Sequence, residues 1–584
     1  MAYSRREFLQ LLAAAATTGL WSHNASSALA KSIGTSSVNS GTNLYDIPVE
    51  GNVSLLHITD THAQLMPAYY REPHMHLGYG KNQGAQIPYL VGKHFLERFK
   101  IPHRTQKAHA LTFLDFPDLA HRYGKTGGFA YLASLVKQVR SSRPNSLLLD
   151  GGDTFQGSAT ALWTNGQDMV DAVKLLGVDV MTGHWEFTYG MDRFNEILEK
   201  DLKGNIDFVA QNILDKEFED PVFRPYVKKE INGVPVAIIG QAFPYTPIAH
   251  PKHLVEDWQF GIREDLLQQN VDKAREEGAQ IVVLLSHNGM DVDLKLASRV
   301  TGIDFILGGH THDAIPEPVL ISNRNGKTVV INSGTNGKFL SVLDLDVRKG
   351  RLRGYKYRLV PVFANLLTPD PEMQSYIDSV RKPYEDKLNE TLAITDDLLY
   401  RRGTFNGTFD QLILNALLQT QNAEIALSPG FRWGTTVLPG SNITREDVMA
   451  QTAITYPYVT RNEISGERIK YILEDLADNR FSRDPYRQQG GDMVRVGVLK
   501  YKLNPAGKMG SRISSLTLNG KSIQPNKKYI VAGWASVQGS EDNTPVWDVV
   551  SDYLRDKKFI LVNDVNQPTL PDLTGNRGYQ SPTA

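Results

Sequence analysis

The chain has 584 residues, which is too long for a single hydrophobic core and indicates at least two domains. Its 63 basic and 64 acidic side chains give a formal net charge of −1, which argues against nonspecific binding to nucleic acid. Cysteine is absent, so disulfides, thiolate nucleophiles and iron–sulfur clusters are excluded, and metal ligands must come from His, Asp, Glu or Asn.

The first 30 residues have the features of an export leader. Arg5 and Arg6 precede a weakly apolar stretch, residues 8–20, and small residues lead up to Ala30. The apolar stretch is too short and too rich in Ala and Thr to span a bilayer of about 30 Å. The segment resembles a twin-arginine export signal, which implies cleavage after Ala30 and a periplasmic protein without membrane anchoring.

Short apolar runs and helical patterns alternate through the next part of the chain. The predicted buried strands are residues 53–59, 146–149, 178–181, 281–285 and 305–307. Helical periodicity is found over residues 128–139, 167–176 and 264–277. This alternation predicts a layered α/β domain over residues 31–368.

A long insertion, residues 66–127, separates the first predicted strand from the first predicted helix. Six of the fifteen histidines lie in it, namely His74, His76, His94, His103, His109 and His121. Their spacings match no metal-binding motif, so we expect a solvated loop that partly walls the active site. A second metal site is the alternative.

The sequence pattern changes after residue 368. Residues 369–392 are charged and have helical periodicity, which predicts a connecting helix. A smaller domain is expected over residues 393–584, beginning with a helix near 409–421 and a strand near 424–427. The segment beyond about residue 562 is rich in Pro, Asn, Thr and Gly, which predicts a loose tail.

Five polar clusters follow the carboxyl ends of predicted strands. Each is weak evidence alone, but such strand ends converge at one edge of an α/β sheet. Together the clusters supply enough carboxylate and imidazole groups for two metal ions, which suit in-line displacement at a tetrahedral anion. They are Asp60-Thr-His62, Gly152-Asp153, Gly183-His184-Trp185-Glu186, Ser286-His287-Asn288 and Gly309-His310-Thr-His312.

The order and residue types of these clusters resemble those of the dinuclear metallophosphoesterases, in particular the 5′-nucleotidase family. The resemblance implies a four-layer α/β/β/α N-terminal domain and a smaller α+β C-terminal substrate domain. It also implies two metal sites that share Asp153 as a bridging carboxylate. The first site would use Asp60, His62, Asp153 and His312, and the second would use Asp153, His184, His287 and His310.

The third cluster departs from the phosphoesterase pattern. Phosphoesterases of this family read Gly-Asn-His-Glu, so His184 stands at the asparagine ligand and Trp185 at the catalytic histidine. This string, together with Gln489-Gly-Gly-Asp-Met-Val-Arg495, resembles the thiosulfohydrolases of the bacterial Sox sulfur-oxidation system.

The Sox resemblance implies a periplasmic enzyme with two manganese ions (Mn²⁺). Its substrate would be a thiosulfonate on a cysteine at the end of a flexible arm of the carrier protein SoxYZ. Hydrolysis would release sulfate and leave a persulfide on the carrier. Without the resemblance, a carboxylate and imidazole ligand set suits Mn, Fe, Co or Zn equally.

The chemistry of the leaving group agrees with a sulfur substrate. An alkoxide leaving a phosphate ester benefits from a general acid, whereas a persulfide leaves readily as an anion. Trp185 is therefore a candidate catalytic-site residue. Arg432 is a candidate for catalysis and substrate binding because a guanidinium suits anionic oxygens, and Tyr456 and Arg495 are further substrate-binding candidates.

Two other functions stay open. A periplasmic 5′-nucleotidase or cyclic phosphodiesterase would share the scaffold, and a base-stacking aromatic pair in the second domain would favour it. A binding protein that has lost catalysis is the other alternative, against which the intact ligand set argues.

Overall fold

The structure is a computed structural model that describes residues 44–78, 87–540, 543–571 and 573–581. The predicted leader, residues 1–30, lies outside these ranges. Residues 48–584 form one compact unit, and residues 44–47 are the described part of the segment before it. No helix within the described ranges has the length and apolar character that crossing a bilayer requires.

The N-terminal domain is built on two six-stranded sheets. Its strands are β1 (Val53–Ile58), β2 (Leu147–Asp150), β3 (Val180–Met181), β4 (Asp207–Phe208), β5 (Ile213–Asp215), β6 (Tyr226–Ile231), β7 (Val234–Gln241), β8 (Trp258–Phe260), β9 (Ile281–Ser286), β10 (Phe305–Gly308), β11 (Val319–Asn323), β12 (Gly326–Asn332), β13 (Phe339–Arg348) and β14 (Arg351–Pro361). One sheet has the order β14-β13-β1-β2-β3-β4 and the other the order β11-β12-β10-β9-β7-β6. Strands β5 and β8 pair separately.

Ten α-helices among the described residues belong to the N-terminal domain. They are α1 (Gly92–Phe99), α2 (Gln106–Leu111), α3 (Phe116–Tyr123), α4 (Phe129–Ser141), α5 (Ala159–Trp163), α6 (Gln167–Leu176), α7 (Met191–Glu196), α8 (Thr246–Ala249), α9 (Glu264–Glu276) and α10 (Met290–Arg299). Helix α4 contacts β13 of the first sheet, and α9 and α10 pack on the second. The predicted four-layer α/β/β/α arrangement is confirmed.

The main core of this domain lies between the sheets. Leu55 and Leu149 of the first sheet share one cluster of buried side chains with Val283 and Leu307 of the second. The alternate residue Leu56 is equally buried. Because both faces of each central strand are covered, these strands are continuous apolar runs in the sequence.

The parallel strands direct their carboxyl ends to the same edge. Strands β1, β2 and β3 are mutually parallel, and so are β9 and β10. Each of the five polar clusters follows one of these strands. The topology therefore brings residues that are up to 252 positions apart in sequence, from Asp60 to His312, to one side of the domain.

The insertion at residues 66–127 is not a solvated loop, and that expectation was wrong. It forms helices α1, α2 and α3, whose apolar side chains, such as Phe95 and Phe116, are buried. His74 and His109 are also buried, and His109 packs against the rings of Phe116 and Phe363. Among the described residues of the insertion there is no group of metal ligands.

A connecting segment and a second, smaller domain follow. Their helices are α11 (Pro371–Arg381), α12 (Glu385–Leu388), α13 (Thr408–Thr420), α14 (Arg445–Thr452), α15 (Gly466–Phe481) and α16 (Val546–Lys557). The strands are β15 (Thr391–Thr395), β16 (Ile425–Ser428), β17 (Ser441–Thr444), β18 (Val459–Ser465), β19 (Arg495–Gly497), β20 (Lys500–Leu503), β21 (Ile513–Leu518), β22 (Lys521–Ser522), β23 (Lys528–Trp534) and β24 (Phe559–Ile560). Asp370 caps the N-terminus of helix α11, because its carboxylate accepts the Met373 N–H.

The C-terminal domain has the predicted α+β character. Its central sheet has the order β18-β23-β16-β19, and smaller sheets are formed by β17-β15-β24 and by β20-β21-β22. Helices α13 and α16 pack against each other beside these sheets. The loops that follow β16 and precede β19 reach the metal-ligand edge of the first domain.

The described residues beyond 562 do not form a loose tail, so that prediction was wrong. Thr569 exchanges backbone hydrogen bonds with Tyr501 and Leu503, at 2.9 and 3.0 Å. The side chain of Asn566 is buried and donates to the carbonyl of Val496 at 2.8 Å. Polar residues that suggested disorder instead supply hydrogen bonds that tie the segment down.

Candidate metal centre

Seven side chains converge where the two sheets end. They are Asp60, His62, Asp153, His184, His287, His310 and His312, and none is more than 7% exposed. Their ligand atoms form two groups of four, within each of which the atoms lie within 4.8 Å of one another. Asp153 belongs to both groups. The structure thus brings together all seven predicted ligands, in the two predicted sets.

The spacings fit atoms arranged around an ion. In the first group, His312 Nε2 lies 3.0 Å from His62 Nε2 and 3.3 Å from Asp60 Oδ1. In the second group, His184 Nδ1 lies 3.1 Å from Asp153 Oδ1, and His287 Nε2 lies 3.0 Å from Asp153 Oδ2. Ligands at about 2.1 Å from one ion are roughly 3 to 3.5 Å apart, so each group can hold one.

Five of the seven ligands have a left-handed backbone conformation. The φ values are 51° for Asp60, 46° for His62, 60° for Asp153, 69° for His310 and 60° for His312. Such values are uncommon for residues other than glycine and persist where neighbouring contacts enforce them. Here the Asp60 N–H donates to Gly152 O and the His62 N–H to Asp153 O, each at 2.8 Å.

Glu186 organises two of the ligand loops, a role that the sequence reasoning missed. Its fully buried carboxylate accepts the N–H groups of His184 at 2.7 Å and Asp153 at 3.2 Å. It also accepts the Thr154 N–H at 2.6 Å. The signal was present, because Glu186 closes the third polar cluster.

The carboxylates and neutral imidazoles of the centre favour a bound cation. Burial lowers the pKa of His62 and of His184 to about 4, which leaves both imidazoles neutral, the form that binds metal. Burial alone would also lower the pKa of His287, but the carboxylates of Asp153 and Asp60 raise it to about 10. Without a metal ion, these two carboxylates favour a proton on His287. A bound metal ion would supply that positive charge instead. The residues present therefore fit a pair of metal ions.

Both domains match known families. Residues 53–314 match the family model described as calcineurin-like phosphoesterase, and residues 395–549 match the 5′-nucleotidase C-terminal domain. A solved structure of the sulfate thiohydrolase SoxB from Thermus thermophilus is 36% identical, covers 90% of this chain and 98% of its own, and superposes with a TM-score of 0.85. The chain belongs to the SoxB-type branch of the 5′-nucleotidase superfamily. This is a superfamily of metal-dependent hydrolases.

More distant relatives are nucleotide phosphoesterases. The trifunctional nucleotide phosphoesterase protein YfkN of Bacillus subtilis is 24% identical over 67% of this chain, and the 5′-nucleotidase of Rattus norvegicus is 29% identical over 38% of it. The matched regions span only 29% and 41% of the lengths of these two proteins.

A cavity of about 330 Å³ opens onto the metal ligands. The indole of Trp185 forms part of its wall, with ring centroids 5.2 Å from Trp433 and 5.7 Å from Phe431. Ile248 and Val537 stand at its rim and are 53% and 41% exposed. Sequence reasoning missed the aromatic pair around Arg432, although Phe431 and Trp433 are its immediate neighbours.

The structure places Arg432 and Tyr456 at this cavity. The Arg432 guanidinium donates to the carbonyls of His310 at 2.9 Å and of Gly491 at 3.1 Å. The Tyr456 hydroxyl donates to the carbonyl of Ala249, so its ring is the part left for a ligand. Arg432 therefore holds the backbone next to a metal ligand.

Arg495 does not reach the cavity, and its prediction as a substrate-binding residue was wrong. Its side chain is fully buried and donates to the carbonyls of Gly403 at 2.9 Å and Phe405 at 2.6 Å. It also forms an ion pair with Asp410 at 3.3 Å. Arg495 neutralises a buried carboxylate and holds the loop that precedes α13, which is a structural role.

Proposed function

We propose that the chain hydrolyses a thiosulfonate carried on a cysteine of a carrier protein, releasing sulfate and leaving a cysteine persulfide. The observation that carries the proposal is the position of Trp185, where phosphoesterases of the superfamily place a catalytic histidine. Its ring lines the cavity beside the ligand set, and the only histidines among the described lining residues belong to that set. Similarity to a protein described as a sulfate thiohydrolase supports the same reaction.

The reaction balances without an added redox partner. The oxygen of a water adds to the sulfonate sulfur, the bond from that sulfur to the sulfane sulfur breaks, and its electron pair stays on the sulfane sulfur, which remains bonded to the cysteine sulfur. The products are a persulfide anion and sulfate, and the two protons of the water pass to solvent. A persulfide is a weak base, so protonation by a general acid accelerates its departure little. An alkoxide is a strong base, and its departure is accelerated much more.

The side chains of the site suit this substrate. Two divalent ions, when bound, supply Lewis acidity toward the sulfonate oxygens and lower the pKa of a water. The Arg432 guanidinium stands at the same cavity and matches an oxyanion in charge and shape. The rings of Trp185 and Phe431 offer an apolar surface to the sulfane sulfur and exclude water from it. Manganese is the metal we propose, and elemental analysis separates it from zinc, iron and cobalt.

We further propose a carrier of the SoxYZ kind as partner and the periplasm as location. A cysteine at the end of a flexible arm can enter a cavity that a folded domain cannot. Export follows from the twin-arginine leader expected in residues 1–30. Replacing Arg5 and Arg6 by Lys should retain the protein in the cytoplasm, and unchanged export of that variant would contradict the leader.

A nucleotidase activity is the second candidate. The rings of Trp185 and Tyr456 are almost parallel, at 16°, with centroids 6.4 Å apart, which is near the roughly 7 Å that a sandwiched base needs. The pair Phe431 and Trp433 gives no such support, because these rings stack directly on each other at 4.1 Å.

The proposal is tested by measuring sulfate released from a thiosulfonated carrier beside phosphate released from a nucleoside monophosphate. We expect sulfate release to dominate and to be abolished in Asp153→Asn, which alters the shared ligand of both sites. Efficient phosphate release with no sulfate release would establish the nucleotidase instead.

Trp185→His tests the residue that carries the proposal. The variant restores the imidazole of the phosphoesterases, so phosphate release should rise, by about 10-fold or less because the pocket is otherwise unchanged. Sulfate release should fall. The matched control Trp185→Phe keeps an apolar ring and should keep most sulfate release and little phosphate release.

A further inference from the structure

A loop of the C-terminal domain presses on a metal ligand of the N-terminal domain. The His310 imidazole stacks on the ring of Phe243, with centroids 4.1 Å apart and planes at 26°, and the backbone of Gly490 lies against the edges of both rings. A methyl carbon placed on Gly490 would lie 2.4 Å from His310 Nε2 and 3.0 Å from Phe243 Cζ. Glycine is therefore the only residue type that this contact accepts without displacing the imidazole.

Hydrogen bonds hold the loop, residues 489–492, in this position. Asn479 donates from its side-chain amide to Gly490 O at 2.8 Å and accepts the Gln489 N–H. The Asp492 N–H donates to Gly430 O at 2.9 Å. Arg432 links the loop to the metal ligand, because one of its nitrogens donates to Gly491 O in the loop and another donates to His310 O.

His310 differs from His287 in how its ring is oriented. A metal-binding histidine is usually fixed by a hydrogen bond from its second ring nitrogen. His287 has such a bond, from Nδ1 to Gly151 O at 2.6 Å. Both ring nitrogens of His310 lack a hydrogen-bond partner among the described residues. The Nε2 atom of His310 faces Gly490, so Nδ1 remains to bind the metal. The orientation of the His310 ring is therefore set by packing alone.

We propose that Gly490 is a positioning residue through which the C-terminal domain sets the affinity of the second metal site. The loop and Phe243 confine the His310 ring to the direction that binding requires. This inference rests on the proposed dinuclear centre and not on the identity of the sulfur substrate. It makes the ion at His310 dependent on a segment that lies 180 residues further along the chain.

Gly490→Ala tests the contact, and Gly491→Ala is its matched control. Both glycines have positive φ, 85° and 77°, so the added methyl group strains the two backbones alike. At Gly491 the methyl group would meet only Gly430 O, at 3.9 Å. A difference between the variants therefore reports the contact with His310 and not the backbone strain.

The readout is binding of Mn²⁺ to metal-free protein, by titration calorimetry and by the magnetic resonance signal of the coupled pair. Wild type and Gly491→Ala should bind two ions. Gly490→Ala should bind one ion normally and the other about 10- to 100-fold more weakly, the range for losing support of a ligand. Equal affinities in both variants would overturn the inference. Fewer than two ions in wild type would contradict the dinuclear centre itself.

A measurement on the unaltered protein keeps the inference testable if Gly490→Ala does not fold. Coupling between two sites is reciprocal, so removing the metal should loosen the loop that supports the ligand. The amides of Gln489 and Asp492, both hydrogen-bonded here, should exchange hydrogen faster in the metal-free protein. Unchanged exchange at both amides would show that the loop does not sense the metal.

Discussion

Arg432 and Arg495 are two arginines of the C-terminal domain with different surroundings. Arg432 stands at the cavity, with 11% of its side chain exposed, and its guanidinium contacts the backbone of His310. Arg495 is completely buried, beside the carboxylate of Asp410. The same side-chain chemistry therefore lines the cavity in one case and holds the domain together in the other.

This difference predicts opposite effects of substitution. Arg495→Met removes one of two arginines that neutralise Asp410 and should lower the free energy of unfolding by about 3 kcal/mol. The KM of the folded fraction should stay near that of wild type. Arg432→Met should raise KM by about 10-fold, because a charge-assisted contact to the substrate is lost. Denaturant unfolding and steady-state kinetics measure the two effects. A raised KM for Arg495→Met would show that Arg495 contributes to substrate binding after all.

The sequence predicts the identity of the ligands better than their geometry. The seven ligands follow parallel strands, and that topology brings strand ends together whatever the details of the loops. The left-handed backbone of Asp60 and His310 is enforced by distant hydrogen bonds, which no local pattern contains. Arg495 was misassigned for a related reason, because burial depends on segments far away in the chain.

At the scale of single elements, helix α6 contains a buried acidic residue. Asp168 lies in its first turn and is only 2% exposed. Burial raises the pKa of Asp168 from 3.8 to about 6, although hydrogen bonds from Thr160 and from the Met169 N–H favour its charged form. The folded state therefore holds this proton more tightly than the unfolded chain does.

A pH dependence of stability follows, with a defined sign. Where the folded state binds the extra proton, stability decreases as the pH rises, so the contribution of Asp168 should be lost between about pH 4 and pH 6. Two units of pKa correspond to about 3 kcal/mol. Asp168→Asn cannot titrate and should lose less stability across that window. Unfolding at pH 4.5, 5.5 and 6.5 checks this, and identical slopes for both proteins would contradict it.

Regular elements with strong apolar patterns were predicted, whereas the segments between them were not. Helix 128–139 of the sequence prediction corresponds to α4, and helix 167–176 coincides with α6. The insertion was misjudged because its histidine spacings matched no motif and were taken to indicate a loop, and the last residues because their polar composition resembles that of loops. Their order comes from partners elsewhere, such as Tyr501 for Thr569 and Phe363 for His109.

At the scale of the whole molecule, the two domains share one apolar cluster at the cavity. Trp185 of the N-terminal domain is 4% exposed and packs with the C-terminal core residues Trp433 and Tyr456. The cavity wall is therefore continuous from one domain to the other. The family assignment predicted which two domains are present, but not that an indole from one would complete the core of the other.

The shared indole limits how often the chamber stands open. Rotating the domains apart would expose Trp185 to water, at a cost of roughly 3 kcal/mol or more for an aromatic side chain. A cost of this size would weaken the apparent affinity of any ligand that needs the domains apart by about 100-fold. A slender extended segment that enters the closed chamber end-on avoids this penalty, whereas a bulky compact ligand meets it in full.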